Sequence, residues 1–191
     1  LEETGVVGVP DPSAMFVSNH RTPVAGTCLT VAMEGTRPLV AEVQALVNET
    51  SGPARRAVSG LDSSRVALVQ AVVERHAGLR LSDRDLFAAT IGGVRITEPA
   101  ADLAIALAMA SARLDKALPG RVIAIGEVGL SGELRRVRGL SRRIAEATRL
   151  GYRTIVVPPE ATGPTDSGRP SGGADVLEAP TLGVALAALL G

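Results

Sequence analysis

The sequence predicts one mixed α+β domain of α/β-like character, and three observations support this. Segments patterned as strands and as helices alternate along the chain in the order ββαβαβαβα. The composition is 46% hydrophobic but only 2% aromatic, so the core must be assembled from Val, Leu, Ile and Ala. At 191 residues the chain is long enough to bury such a core without a metal or a disulfide.

Each element has its own signal. Residues 1 to about 25, with Gly5, Gly8, Pro10, Pro12, Pro23 and Gly26 in or just after them, show little periodicity and read as a linker, leaving 26–191 as the domain. Cys28 to Glu34 reads as a strand, Gly35-Thr36-Arg37-Pro38 as a turn and Leu39 to Val47 as the returning strand of a hairpin. Asn48 to Pro53 reads as a loop. Asp62 or Ser63 is expected to cap a helix whose stripe is Val66, Val69, Val72 and Val73 and which ends near Gly78. Asp85 to Val94 is expected as a buried strand. A central helix follows from Thr97 or Glu98 to about Leu114, with Pro99 in its first turn, where a missing N–H does no harm. This helix is apolar nearly all round, which predicts a central position. Arg121 to Gly126 is expected as a strand, Gly139 to Leu150 as a helix, Thr154 to Val157 as a strand and Thr181 to Leu190 as a terminal helix. Ala161 to Gly173, rich in Gly, Pro and Ser, is expected to be mobile.

Composition also narrows the function. One cysteine, Cys28, excludes an internal disulfide and suits a reducing cytoplasm. No run of about 18 apolar residues is present, which argues against a membrane span, and no signal-peptide pattern opens the chain. So few aromatic side chains disfavour base stacking as the main mode of nucleic-acid binding. His20 and His76, the only histidines, have no cysteine or carboxylate at ligand spacing, so no metal site is expected. No glycine loop ending in Gly-Lys-Ser/Thr exists, so no ATP site is expected in this piece. Net charge is zero, yet of 20 basic residues only Lys116 is a lysine. Seven arginines (Arg135, Arg136, Arg138, Arg142, Arg143, Arg149 and Arg153) face only Glu133 and Glu146 between Glu133 and Arg153. They are permanently charged forks suited to phosphate.

Two stretches carry a family resemblance. Pro99-Ala100-Ala101-Asp102 opens the central helix, and Gly139-Leu140-Ser141 opens the following one. They resemble the nucleophile and base sites of Lon-type serine proteases, in which a Ser and a Lys stand where this chain has Ala100 and Ser141. A Ser-Lys dyad needs a hydroxyl beside an amine of lowered pKa. Ala100 offers no nucleophilic atom and Ser141 no amine, while Lys116 is expected at the far end of the helix.

A second resemblance covers roughly residues 11 to 190. Met33-Glu34-Gly35-Thr36-Arg37-Pro38-Leu39, residues 42–47, Arg55 to Asp62, Ile91 to Ala104 and Gly126 to Arg135 are similar to the C-terminal part of the RadA (Sms) family of bacterial DNA-repair proteins, as is Asp11 to Phe16. That resemblance implies a Lon-protease-like domain of the ribosomal protein S5 domain 2-like type, without protease activity. It implies a homo-hexameric ring, DNA contact and action with RecA in recombinational repair and branch migration. ATP, Mg and Zn would belong to upstream domains, a RecA-like ATPase among them, and no cofactor to this one.

The residues expected to touch DNA phosphates are Arg55 and Arg56 on an exposed turn, Arg65 in the first turns of the first helix, Arg95 at the mouth of the ancestral cleft, and Arg135, Arg136 and Arg138 bordering it. Arg142, Arg143 and Arg149 are expected as an exposed helix face, and Glu98, Asp102, Glu127 and Glu133 as caps or ion-pair partners. Two other readings remain open at this point: an active peptidase with a relocated nucleophile such as Ser131 or Ser141, and an oligomerisation scaffold without DNA affinity.

Overall fold

Strands β1 (Thr27–Glu34) and β2 (Arg37–Glu49) form the expected hairpin, with Val31 opposite Val40 and Thr27 opposite Gln44. β2 runs past the boundary read from sequence, because Asn48 and Glu49 pair with Asp85 and Arg84 of β4 (Arg84–Thr90). Between them in sequence comes β3 (Arg56–Ser59), which pairs parallel to the far side of β4 at the sheet edge. Sequence reading placed Arg55 and Arg56 on a turn. Four residues flanked by Pro53 and Gly60 carry too little pattern to announce a strand.

Helix α1 (Ser63–Ala77) begins where the Asp62 side chain accepts the Arg65 N–H at 2.9 Å and ends at Gly78, whose φ is +68°. β4 stops at Thr90 rather than Val94, since Gly92 and Gly93 turn the chain with φ of +70° and +76°. Pro99–Ala101 form a 3₁₀ turn, and helix α2 (Asp102–Leu114) starts only after it. The delay has a tertiary cause: Gly126 N–H donates to Ala100 O and Leu103 N–H to Gly126 O, fixing the helix entry against the end of β5 (Val122–Ala124). A small hairpin of β6 (Glu127–Val128) and β7 (Leu134–Arg135) follows, then α3 (Leu140–Arg149), β8 (Thr154–Val157), β9 (Asp175–Glu178) and α4 (Leu182–Leu190), capped by Thr181. β6 and β7 are too short to have been read from sequence, and β9 lacks the continuous apolar run that marks β8.

The structure, a computed structural model, describes residues 15–18, 22–159 and 173–191. His20 and nearly all of the segment expected to be mobile lie outside them. Seven strands form one mixed, mostly parallel sheet in the order β3-β4-β2-β1-β5-β8-β9. On one face α1, α2 and α4 bury Val69, Val73, Leu103, Leu107 and Leu182 against Ala41, Val43 and Ala88. On the other, α3 packs Leu140 and Ala147 with Leu29, Val31, Ile123 and Ile155. All residues of α2 from Asp102 to Ser111 are buried, as its all-round apolarity predicts. Among the described residues α3 covers only part of its face, and the β2-β4-β3 half of the sheet there forms a groove of about 570 Å³, lined also by Val24 and Thr27.

Part of the region read as linker is packed. Val17 is buried, and Ser18 donates through its N–H (2.8 Å) and its hydroxyl (2.6 Å) to the buried carboxylate of Glu42. Gly92 permits this, because a Cβ there would lie 2.5 Å from Met15 O.

Candidate functional site

The position that matches the protease nucleophile is filled by apolar packing. Ala100 is 1% exposed, and its methyl belongs to the α3-face core together with Leu140. Ser141 is exposed on the first turn of α3. Lys116 lies past the C-terminus of α2, where its ammonium donates to the carbonyls of Leu190 at 2.8 Å and Gly191 at 3.0 Å. A helix of thirteen residues spans about 20 Å, so that amine stands far from Ala100. Ser131 is exposed at the β6–β7 turn. Beside it His76 Nε2 lies 3.0 Å from Leu130 O, a backbone carbonyl rather than a hydroxyl.

Charge gathers around the entry of α2. Asp102 is fully buried and grips Arg65 with both oxygens: Nε donates to Oδ1 at 2.9 Å and Nη2 to Oδ2. The Val128 N–H adds a bond to Oδ2 at 3.2 Å, and Glu127 stands 3.8 Å from the same guanidinium. Burial pushes the Asp102 carboxyl above its ordinary value against the pull of Arg65 and the Val128 N–H. The bond from Asp102 raises Arg65 further above its already high value. Arg65 is therefore a half-buried fork holding a carboxylate, with only part of its surface turned to solvent.

A second charged knot was missed in the sequence. Arg143 was expected on an exposed helix face, but its side chain is 2% exposed. It donates to Glu98 at 2.8 and 2.5 Å, to Arg138 O at 3.1 Å and to Val31 O, while Glu98 also accepts the Met33 N–H at 2.8 Å. The signal was present: Arg143 stands three residues after Leu140 and four before Ala147, on the apolar stripe of α3.

The other expected phosphate ligands fall into two groups. Arg55 and Arg56 lie at the outer end of β3. Arg55 is 78% exposed with Nε 3.4 Å from Asp85, and Arg56 is exposed. Arg95 sits beside the opposite end of β3, about 13 Å away along the strand, because Ile96 N–H donates to Gly60 O and Leu61 bridges Ile96. Arg135 is exposed on β7 opposite Glu127 and pairs with Glu133, while Arg136 and Arg138 are exposed just beyond. Glu127 thus stands between Arg65 and Arg135. No described carboxylate lies within ion-pair distance of Arg56, Arg95 or Arg138. The carboxyl of Glu133 is lowered, chiefly by its own backbone N–H and then by Arg135. Among the described residues no cluster of metal-ligating side chains occurs, and no helix is long and apolar enough to cross a membrane.

The family model described as "Subunit ChlI of Mg-chelatase" matches residues 92–161, from the Gly92 turn past β8. A protein of Mycolicibacterium smegmatis named "DNA repair protein RadA" is 51% identical over 162 residues, 85% of this chain and 35% of the relative. Proteins of the same name from Streptococcus pneumoniae and Escherichia coli are 45% and 44% identical over 83% of this chain, which spans 38% and 35% of them. The chain is similar to the RadA proteins. It spans about a third of their length.

Proposed function

We propose that this chain is a protease-inactive Lon-like domain of a DNA-repair protein, which holds DNA by its phosphates and helps build a homo-hexameric ring. The observation that carries the reading is the 51% identity, over 85% of the chain, to a protein named for DNA repair. The site supports the loss of peptidase chemistry, since the nucleophile position is a buried methyl and the only lysine caps the end of α4. Exposed Arg55, Arg56, Arg95, Arg135, Arg136 and Arg138 are the phosphate ligands in this reading, with Arg65 serving mainly to hold Asp102. Contacts of this kind carry no base information, as suits a protein that moves along DNA. In the intact protein an upstream RecA-like ATPase using ATP and Mg, together with a separate zinc motif, would supply the work of branch migration alongside RecA in the cytoplasm.

Two assays test this. A serine-reactive fluorophosphonate and unfolded casein are expected to give neither labelling nor cleavage, and labelling of Ser131 or Ser141 with cleavage would refute the inactive reading. Duplexes of unrelated sequence are expected to bind alike, and to bind more weakly after Arg95→Glu. A chain that assembles yet binds no DNA would make it a scaffold only.

A further inference from the structure

The chain contains only two phenylalanines, one tyrosine and no tryptophan. Tyr152 lies under the Arg121 guanidinium at 5.4 Å, and Phe16 packs against the core on the α2 face. Phe87 differs: it sits mid-strand in β4, half-buried, and joins neither apolar core. It lines the open groove of about 570 Å³, a size within the roughly 300–1,000 Å³ range of small-molecule pockets.

The register shows what surrounds the ring. Phe87 lies opposite Leu46 of β2 and Ala57 of β3, and the next row on that face is Gln44, Ala89 and Ser59. Leu46 is 54% exposed, while Ala57 and Ala89 are too small to roof the ring. Side chains alternate between faces, so Arg55 shares the face of Ala57, one row beyond Phe87. Arg55 Nε lies 3.4 Å from Asp85 and the rest of its side chain is exposed, while Arg56, one residue on, belongs to the opposite face with Leu86. An aromatic plane, small neighbours, hydroxyl and amide groups in the adjoining row and the exposed Arg55 guanidinium at one end form a surface complementary to an unstacked base and its phosphate.

We propose that this groove binds single-stranded DNA, with one base stacked on Phe87 and the flanking phosphate at Arg55. Duplex DNA is not the occupant, because its bases are already stacked on one another. The site rests on the chain being a DNA-binding domain, but its phosphate end at Arg55 lies at the opposite end of β3 from Arg95.

Phe87→Trp provides the test, since it would be the chain's only indole. Its fluorescence is expected to be quenched on adding oligothymidylate and to stay unchanged with a duplex or with an abasic oligomer of the same length. Phe87→Ala is expected to weaken oligothymidylate binding about tenfold, roughly 1.4 kcal/mol for one stacked base, and to leave duplex binding intact. If Phe87→Ala does not fold, the tryptophan signal alone decides. Oligothymidylate bound without quenching would overturn this site while sparing the proposed function, and failure to bind any DNA would overturn both. A tryptophan signal that follows protein concentration alone would assign the groove to a protein partner and also overturn it.

Discussion

At Asp102 burial and charge oppose each other within one side chain. The carboxylate has no solvent, two bonds from Arg65 and one from the Val128 N–H, and still titrates above its usual range. A carboxyl that binds its proton more tightly folded than unfolded makes the fold less stable as pH rises from about 4 through the folded value, and contributes nothing further above it. The stability advantage of the wild type over Asp102→Asn is therefore expected to shrink as pH rises across that window and then level off. Urea unfolding at a series of pH values would measure this, and an advantage that grows with pH would contradict it. Removing the partner is a separate matter. Arg65→Met leaves a buried charge with one backbone N–H, and a loss of about 3 kcal/mol is expected in the same experiment. Ala100 tests the cleft directly. Ala100→Ser places a hydroxyl among apolar groups, with an expected cost of roughly 1–2 kcal/mol and still no fluorophosphonate labelling, because no amine is at hand to activate it.

At the scale of elements, Glu98 and Arg143 join three parts of the fold. Arg143 comes from α3, Glu98 precedes the 3₁₀ turn, and both bond to the backbone of β1. Arg143→Leu strands a carboxylate and two carbonyls and is expected to lose about 3–5 kcal/mol. Arg143→Lys would not restore it, since one ammonium cannot reproduce a planar fork. Chemical denaturation would check both, and near-normal stability of the lysine variant would show the geometry to be dispensable. The elements also show what a sequence can reveal. The β1–β2 hairpin and all four helices are legible because each has a repeating apolar pattern or a capping residue. The end of β2, the start of α2 and strands β3, β6, β7 and β9 are not. Their limits depend on partners distant in sequence, such as the bonds between Gly126 and both Ala100 and Leu103. Arg143 was misplaced for a related reason: a charged residue on an apolar stripe reads as solvated until its buried partner is known.

For the whole molecule, a net charge of zero conceals an uneven surface. The arginines expected to meet phosphate could be named from sequence, but their sorting could not. Arg65 is taken up by Asp102, Arg55 lies at the groove end of β3 with Arg56 on the opposite face, and Arg95, Arg135, Arg136 and Arg138 lie toward the entry of α2 and beyond it. That sorting depends on the sheet order, which local patterning does not encode. Phe87 went unremarked for the same reason, since an aromatic within a strand looks like core until the uncovered half of the sheet is seen. The most direct measurement is a salt titration of duplex binding by the wild type and by Arg95→Glu combined with Arg135→Glu. Each phosphate contact contributes about 0.9 to the slope of log affinity against log salt, so the double variant is expected to bind more weakly on any sequence with a slope shallower by about 1.8. Equal slopes and affinities for the two proteins would contradict the account.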